Sequence, residues 1–300
     1  MVNQVQSLLR RRQSTRGNIK TGIIIVTVTA AAMAVLAMAP PVLRAEGISA
    51  GDRALIWIKT KMYERQYRRN MRNSAVLDAV LSRMKPDPGL WNKESPAHRE
   101  RLSRYIGDLR DAPRGDTIAF GDSLLDLTRT KLHSVPDRLN FSISGSWAHH
   151  MARMAADMRP ALERAGIINS VRYVVVGSLG GNPLLMRQPA DVTITHSLAA
   201  LDAVRRLYPS ARIIVFGIPP TVSTYVNITA VSFEAALYRW VRADRDAVLL
   251  PLQRKFAGWL GLYPKAVMSV DGVHFSGQGS LEFDRLIENG KRAPAGSIVD

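Results

Sequence analysis

The sequence contains no cysteine among its 300 residues, which excludes disulfides, thiolate metal ligands and a cysteine nucleophile. It also has no H-E-x-x-H zinc motif, no Walker A loop and no G-x-G-x-x-G loop. These absences argue against a zincin, a P-loop protein and a dinucleotide-binding protein.

Acidic residues are few, with 25 against 41 basic residues and a formal net charge of +16. Residues 1–114 hold 21 of the basic and 9 of the acidic residues, whereas residues 115–300 hold 20 and 16. A basic segment beside a bilayer is attracted to anionic head groups, which explains this uneven charge more simply than DNA binding does. We therefore expect a membrane partner and no nucleic-acid partner.

The amino-terminal segment has the pattern of an exported protein. Residues 1–20 carry five basic residues and no acid, and the run 21–43 is uncharged. This run just reaches the length of about 20 residues that spans a bilayer as a helix. The positive-inside rule makes 1–20 a cytoplasmic leader and places the rest of the chain on the periplasmic or extracellular side. Cleavage after Ala39 or Ala45 is the alternative to an uncleaved membrane anchor, and it would release a secreted protein.

Residues 44–114 are predicted to form a basic helical stalk or linker. Apolar residues recur at helical spacing between Lys and Arg up to about residue 85, and Pro86, Pro88 and Pro96 then interrupt the pattern. The basic stretch is consistent with contact to a membrane surface or an anionic polymer. A solvated helix face is the simpler interpretation.

After residue 114 short apolar runs alternate with helical periodicity, which predicts a parallel sheet with helices on both faces. We expect a three-layer α/β/α sandwich with a mostly parallel five-stranded sheet over residues 115–290, followed by a tail at 291–300. In such sheets ligands bind beyond the carboxyl ends of the strands. The predicted strands are 117–120, 139–143, 171–176, 213–216 and 248–250.

Ser123 is the candidate nucleophile. It stands in Gly121-Asp122-Ser123-Leu124, directly after the first predicted strand and at the start of a helix. The glycine permits a tight turn, so that the serine hydroxyl projects at the strand's carboxyl end. An ordinary helix cap is the alternative interpretation, because Asp and Ser are favoured there.

His274 is the candidate base. Of the six histidines it alone has a carboxylate, Asp271, three positions upstream. That carboxylate can orient the imidazole toward Ser123 and stabilise the imidazolium. His149 and His150 are adjacent and face different sides of a helix, so we expect them to pack in the core or at the surface and not to chelate a metal.

Gly145 and Asn182 are the candidate donors to an oxyanion. Gly145 follows the second predicted strand and exposes its backbone N–H, and Asn182 follows the third and has a side-chain amide. Each also fits an ordinary strand-end turn. With Ser123, Asp271 and His274 they come from four turns at one edge of the predicted sheet.

Four segments together resemble the GDSL-type, or SGNH, hydrolase superfamily over about residues 115–290. They are Gly121-Asp122-Ser123, Gly145, Gly180-Gly181-Asn182 and Asp271 to His274. The resemblance implies a flavodoxin-like fold with neither metal nor organic cofactor. It assigns Ser123, Asp271 and His274 to a catalytic triad and the oxyanion hole to the Ser123 and Gly145 N–H groups and Asn182. The chain departs from the family at Pro183, where Asp is common, which puts substrate positioning more in doubt than catalysis.

The resemblance implies a serine ester hydrolase with an acyl-enzyme intermediate. Export suggests an acylated carbohydrate of the envelope or the extracellular space as its substrate, with a lipid ester as second choice. An O-acyltransferase on the same fold and a non-catalytic, membrane-anchored carbohydrate-binding protein are the alternatives. The sequence leaves the oligomeric state open.

Overall fold

The computed structural model describes residues 98–109, 115–177, 179–221, 223–244, 246–257, 268, 271 and 273–299. The predicted leader, the predicted membrane segment and the stalk up to residue 97 lie outside these residues. In the described part of the chain, no helix combines the length and the apolar character needed to cross a bilayer.

Four parallel strands form the sheet of the described residues. Their register aligns Gly121 with Gly177, Gly177 with Phe216, and Phe216 with Leu250, so the strands end together along one edge. The strands are almost wholly buried and rich in Val and Ile, as expected for a parallel sheet covered on both faces. In spatial order they are β1 Thr117–Gly121, β2 Tyr173–Gly177, β3 Arg212–Phe216 and β4 Ala247–Leu250.

Helices cover the sheet and begin near the carboxyl ends of its strands. The described α-helices are α1 His98–Asp108, α2 Ser123–Thr128, α3 Ala148–Arg164, α4 Gly181–Leu185, α5 Ala190–Leu207, α6 Thr224–Ala243, α7 Leu252–Ala257 and α8 Gly277–Arg292. Short 3₁₀ turns cover Arg129–Lys131, Asp137–Leu139 and Ile168–Ser170. The sequence does not predict α4 and α7 as helices.

Successive strand side chains point into two separate hydrophobic cores. Val174 and Ile213 belong to the core that includes residues of α3, α5 and α6. Val175 and Ile214, their neighbours along the strands, belong to the core that includes residues of α2, α7 and α8. Two cores on opposite faces of one sheet make three layers, as the sequence predicts.

The prediction of five strands is wrong for the described chain, because residues 139–143 do not form a strand. This segment runs beside β1 and joins it through two backbone bonds. Phe141 N–H donates to the Ala119 carbonyl at 2.8 Å, and Ile143 N–H donates to the Gly121 carbonyl at 3.0 Å. A single parallel bridge results, and the segment still ends at the edge where β1 ends.

The side chain of Asn140 binds backbone groups within and beside this segment. Its Nδ2 donates to the Leu125 carbonyl at 2.9 Å, and its Oδ1 accepts the Ser142 N–H at 3.2 Å. Regular pairing with β1 is limited to the one bridge between Asn140 and Ala119. The apolar residues of this segment remain buried without regular pairing.

Helix α1 lies within the range predicted as stalk, yet its side chains are part of the core. Tyr105 and Leu109 are buried, and the Tyr105 hydroxyl donates to the Ser142 carbonyl at 2.5 Å. His98 Nε2 lies 3.1 Å from Asp157 on α3. Residues 98–109 therefore pack on the same body as the sheet.

The predicted carboxyl-terminal tail pairs with the other edge of the sheet. Leu249 on β4 donates to the Ser297 carbonyl at 3.1 Å and accepts the Val299 N–H at 2.9 Å. Gly296 N–H donates to the Ala247 carbonyl at 2.7 Å. These bonds occupy backbone groups of β4 that would otherwise form an open edge.

Gly166 ends helix α3, as predicted. Its φ is +70°, its N–H donates to the Glu163 carbonyl, and the Ile167 N–H donates to the Leu162 carbonyl, both at 3.0 Å. This pair of bonds is a Schellman motif, in which the left-handed position favours glycine.

We expect Gly166→Ala to lower the free energy of unfolding by about 1 kcal/mol, because alanine is strained at a left-handed φ. Gly107→Ala is the matched control. Gly107 is exposed within α1 with open space around an added Cβ, so alanine there should raise stability by about 0.5–1 kcal/mol. Urea unfolding of the purified protein measures both changes. Equal effects of the two substitutions would contradict the assignment.

Candidate active site

The turn between β1 and α2 presents Ser123. Asp122 caps α2, and its Oδ1 accepts the Leu124 N–H at 3.0 Å. Ser123 is the first residue of the helix and is 8% exposed. A Cβ at Gly121 would lie 2.6 Å from Cδ1 of Leu125, so glycine permits the close approach of helix and strand at this turn.

Ser123, His274 and Asp271 form a continuous chain of hydrogen bonds. Nε2 of His274 lies 2.8 Å from Oγ of Ser123, and its Nδ1 lies 2.7 Å from Oδ2 of Asp271. An ionised carboxylate only accepts, so Nδ1 carries the proton and Nε2 accepts the serine O–H. The arrangement is that of a hydroxyl next to an oriented base.

Asp271 is held by the turn in which it lies. Its Oδ1 accepts the backbone N–H groups of Val273 at 2.9 Å and His274 at 3.0 Å. Oδ2 therefore faces the imidazole while Oδ1 binds the turn. Two backbone bonds to a side chain that is 49% exposed restrict its rotation.

Asn182 lies on α4, beside the turn between β1 and α2 that contains Ser123. Its Nδ2 donates to the Ser146 carbonyl at 3.0 Å and to Oδ2 of Asp122 at 3.2 Å. Both hydrogens of the amide thus have protein acceptors. Donation to an oxyanion requires the amide to release one of them, and the contact to Asp122 is the longer.

Gly145 lies in the turn after the segment beside β1. It has a φ of +82°, a left-handed value that favours glycine. The next residue, Ser146, donates its N–H to the Ile143 carbonyl at 3.1 Å, and its own carbonyl binds Asn182. The turn with Gly145 is therefore bonded directly to the element with Asn182.

A narrow cleft joins several of these elements. It is lined by the turn between β1 and α2, by helix α4, by Val273 next to His274, and by the loop after β3. The lining residues are Asp122, Ser123, Leu124, Gly181, Asn182, Leu185, Ile218, Pro219, Thr221 and Val273. Ser123 and Asn182 thus share one cleft, and Gly145 is not among its lining residues.

The sequence interpretation missed the loop after β3, which supplies three residues to the cleft. Thr221 N–H donates to Oδ1 of Asn227 at 2.7 Å, and Nδ2 of Asn227 donates back to the Thr221 carbonyl at 2.7 Å. The rule that ligands bind beyond strand carboxyl ends applies to β3 as well. Applied there, it would have identified this loop.

A buried carboxyl group lies beneath the base of that loop. Oε1 of Glu234 on α6 accepts the Gln253 N–H at 2.8 Å. A Cβ at Gly217, the first residue after β3, would lie 2.5 Å from the same oxygen. Burial raises the pKa of Glu234 to about 8, against the smaller lowering effects of the Gln253 N–H and of Arg254.

The chain has no match among family models or curated proteins. Among solved structures it is similar to a carbohydrate esterase family 3 from Talaromyces cellulolyticus, with 21% identity over 59% of this chain and 99% of that chain and a TM-score of 0.42. The lipase/acylhydrolase from Enterococcus faecalis has 16% identity over 59% and 95%, and a TM-score of 0.43. The Clostridium thermocellum family 3 carbohydrate esterase has 17% identity over 56% and 90%, and a TM-score of 0.40.

We expect Glu234 to make folding stability fall with rising pH. Between pH 4.5, the ordinary pKa of a glutamate, and about pH 8, the carboxyl group of Glu234 is ionised in the unfolded chain and protonated in the folded chain. Unfolding then releases a proton, so stability falls by up to about 1.4 kcal/mol per pH unit and levels off above pH 8. Glu234→Gln should remove this contribution.

Urea unfolding of parent and variant at a series of pH values tests the expectation, because the difference between them isolates one group. The stability of the parent relative to Glu234→Gln should decline from pH 5 to pH 8. Glu163→Gln, at an exposed site, is the control and should give no comparable decline. A constant difference for Glu234→Gln would show that the group titrates normally.

Proposed function

We propose that this protein is a serine ester hydrolase that acts through an acyl–Ser123 intermediate. One observation carries the proposal. The serine hydroxyl is 2.8 Å from an imidazole whose far nitrogen is 2.7 Å from a carboxylate. A hydroxyl is a weak nucleophile until a positioned base removes its proton, and this chain of groups supplies that base.

In the acylation step, Oγ of Ser123 attacks the ester carbonyl carbon as its proton passes to Nε2 of His274. Asp271 stabilises the imidazolium that forms. The negative charge on the carbonyl oxygen is assigned to the N–H groups of Ser123 and Gly145 and to the amide of Asn182. His274 then gives its proton to the leaving alcohol as the C–O bond breaks.

In the deacylation step, water replaces the alcohol. His274 removes a proton from the water, whose oxygen attacks the acyl carbonyl carbon. The second tetrahedral intermediate collapses when the proton returns to Oγ of Ser123 and the acid leaves. The same base and the same donors serve both halves of the reaction, so no further group is needed.

The proposed substrate is an acyl or acetyl ester of a carbohydrate in the envelope or outside the cell, with a lipid ester as second choice. The basic leader and the apolar run 21–43 support export and a membrane anchor, with the described domain on the periplasmic or extracellular side. A secreted protein results if the run is cleaved. The location and the substrate are parts of this proposal.

A second cavity beside the site supports a neutral carbohydrate. It encloses about 370 Å³, within the range of about 300–1,000 Å³ for small-molecule sites. Pro183 in its wall follows Asn182, and Trp147 in its wall follows Ser146. Its lining, in the described chain, contains aromatic and apolar groups and no Asp, Glu, Lys or Arg: Trp147, Ala148, His149, His150, Leu179, Pro183, Gln188, Val192, Thr193 and His196.

The lining suits a sugar ring better than a charged ligand. His149 and His150 do not lie on different sides as the sequence suggested, because their ring centroids are 3.9 Å apart and both line the cavity. Sugar rings pack an apolar face on aromatic side chains and use hydroxyls for imidazole, amide and hydroxyl partners. We therefore assign the sugar part of the substrate to this cavity.

Ser123→Ala should lower kcat/KM for a short-chain nitrophenyl ester by at least about 10³-fold, because the nucleophile is lost. A fluorophosphonate probe should label the parent protein at Ser123 and leave the variant unlabelled. Ser210→Ala, at an exposed serine, is the control and should retain parental activity and labelling. Activity that survives in Ser123→Ala would remove this residue from its proposed role.

Trp147→Ala should raise KM for an acetylated oligosaccharide by about tenfold, which corresponds to about 1.4 kcal/mol of lost contact. Nitrophenyl acetate has no sugar ring to place in the cavity, so its kcat/KM should change less than twofold. Trp240→Ala is the control, because that indole binds Asp202 at 2.7 Å and does not line the cavity. Equal losses on both substrates would contradict a sugar subsite. A shift only in the preferred acyl-chain length of nitrophenyl esters would assign the cavity to the acyl group.

A further inference from the structure

Asp126 connects the helix of the nucleophile to the turn that contains Gly145. It lies three residues after Ser123 on α2, and its backbone N–H donates to the Asp122 carbonyl at 3.0 Å. Its Oδ2 accepts both the N–H of Ser144 at 3.0 Å and the Ser144 hydroxyl at 2.7 Å. One carboxylate oxygen thus holds the residue next to Gly145.

Two arginines contact the carboxylate of Asp126. Arg101 on α1 contacts Oδ1 at 3.4 Å and Oδ2 at 3.5 Å, and Nη2 of Arg129 contacts Oδ1 at 3.3 Å. The Asp126 side chain is only 8% exposed. Burial alone would raise the pKa of Asp126, but the Ser144 hydrogen bonds and the two guanidinium groups outweigh it and lower the pKa. The carboxylate therefore stays ionised at neutral pH.

Arg129 extends the same connection along the segment beside β1. Its Nη1 donates to the carbonyls of Asn140 and Asp137, the latter at 2.9 Å. Its Nη2 donates to the Ser142 carbonyl at 3.3 Å. The segment that leads into the Gly145 turn is bonded to Arg129 before the turn and to Asp126 within it.

The Gly145 turn needs this support because its own environment is open. Ser144 and Gly145 are exposed, and an added Cβ on Gly145 would meet no atom within 4 Å. A backbone N–H stabilises an oxyanion only when it is preorganised, since a misplaced donor must reorganise at the moment of reaction. The carboxylate of Asp126 supplies a rigid contact where packing supplies none.

We infer that Asp126 is a positioning residue, which holds the Ser144–Gly145 turn so that the Gly145 N–H points at the oxyanion next to Ser123. This inference rests on the proposed function. Asp126 does not touch the reacting atoms in this arrangement. It acts through Ser144, and Arg101 and Arg129 act through it.

The test is a set of variants of the full chain, with nitrophenyl acetate as substrate. Asp126→Ala should lower kcat by about 10- to 100-fold and leave KM within twofold, because the ground-state ester makes little use of the oxyanion donors. Ser144→Ala, which keeps the backbone bond, should lower kcat by only a few fold. Asp157→Asn is the control, because Asp157 also binds an arginine and an α1 residue but lies away from the turn.

A second readout separates positioning from a general loss of structure. A boronic acid that adds to Ser123 forms a tetrahedral anion, so its affinity should fall in proportion to kcat/KM across these variants. The melting temperature should not follow that order, and Asp157→Asn should lower it without changing kcat.

The results distinguish the positioning role of Asp126 from the esterase activity on which it rests. Activity within twofold of the parent in Asp126→Ala, with Ser123→Ala inactive, would overturn the positioning role and leave the esterase proposal intact. Activity in Ser123→Ala would overturn the esterase proposal itself. If Asp126→Ala does not fold, Asp126→Asn and Ser144→Ala take its place in the test. Parental kcat together with parental boronate affinity in both variants would overturn the positioning role.

Discussion

The common carboxyl edge of the parallel sheet is the constraint on which the site depends. Gly121, Gly177, Phe216 and Leu250 lie side by side in the register, so the loops that follow them start from one line. Residues far apart in sequence thus meet at one cleft. Because the strands are buried on both faces, a shift of register by one residue would exchange the side chains of the two cores and disrupt the packing of both. The hydrophobic cores therefore determine where the loops of the site begin.

Carboxylates then fix the loops that this edge brings together. Asp122 caps α2 and contacts Asn182, Asp126 binds the turn before Gly145, and Asp271 binds the two N–H groups that follow it. An exposed loop leaves backbone N–H groups without partners, and an ionised carboxylate accepts several of them at once. The same three side chains thus satisfy the loop backbones and orient the groups proposed for chemistry.

The sequence predicted those features whose signal is local. Short apolar runs located four strands to within two residues. Ser123 and His274, which the sequence identified as a candidate pair, lie within hydrogen-bond distance of each other. The prediction of a fifth strand at 139–143 failed because this segment makes only one bridge to β1, and hydrophobicity does not report how far backbone pairing extends. Helices α4 and α7 span only five and six residues, too few to show a helical period. The contact of Asp126 with Ser144 joins residues 18 apart through a loop, and no spacing rule describes such a pair.

The position of His274 shows why the site could be proposed from the sequence but not constructed from it. The imidazole meets a serine 151 residues away, and its own turn provides only the link to Asp271. Its neighbour Phe275 is 7% exposed and packs against Phe256 at 5.4 Å and Phe283 at 5.0 Å between ring centroids. Burial of this ring, worth about 2–3 kcal/mol, fixes the backbone next to the base, and Ser276 then caps α8 through the Gly279 N–H. The proposed base therefore lies between a buried aromatic residue and the start of a helix, and the packing of Phe275 holds the backbone from which the imidazole extends.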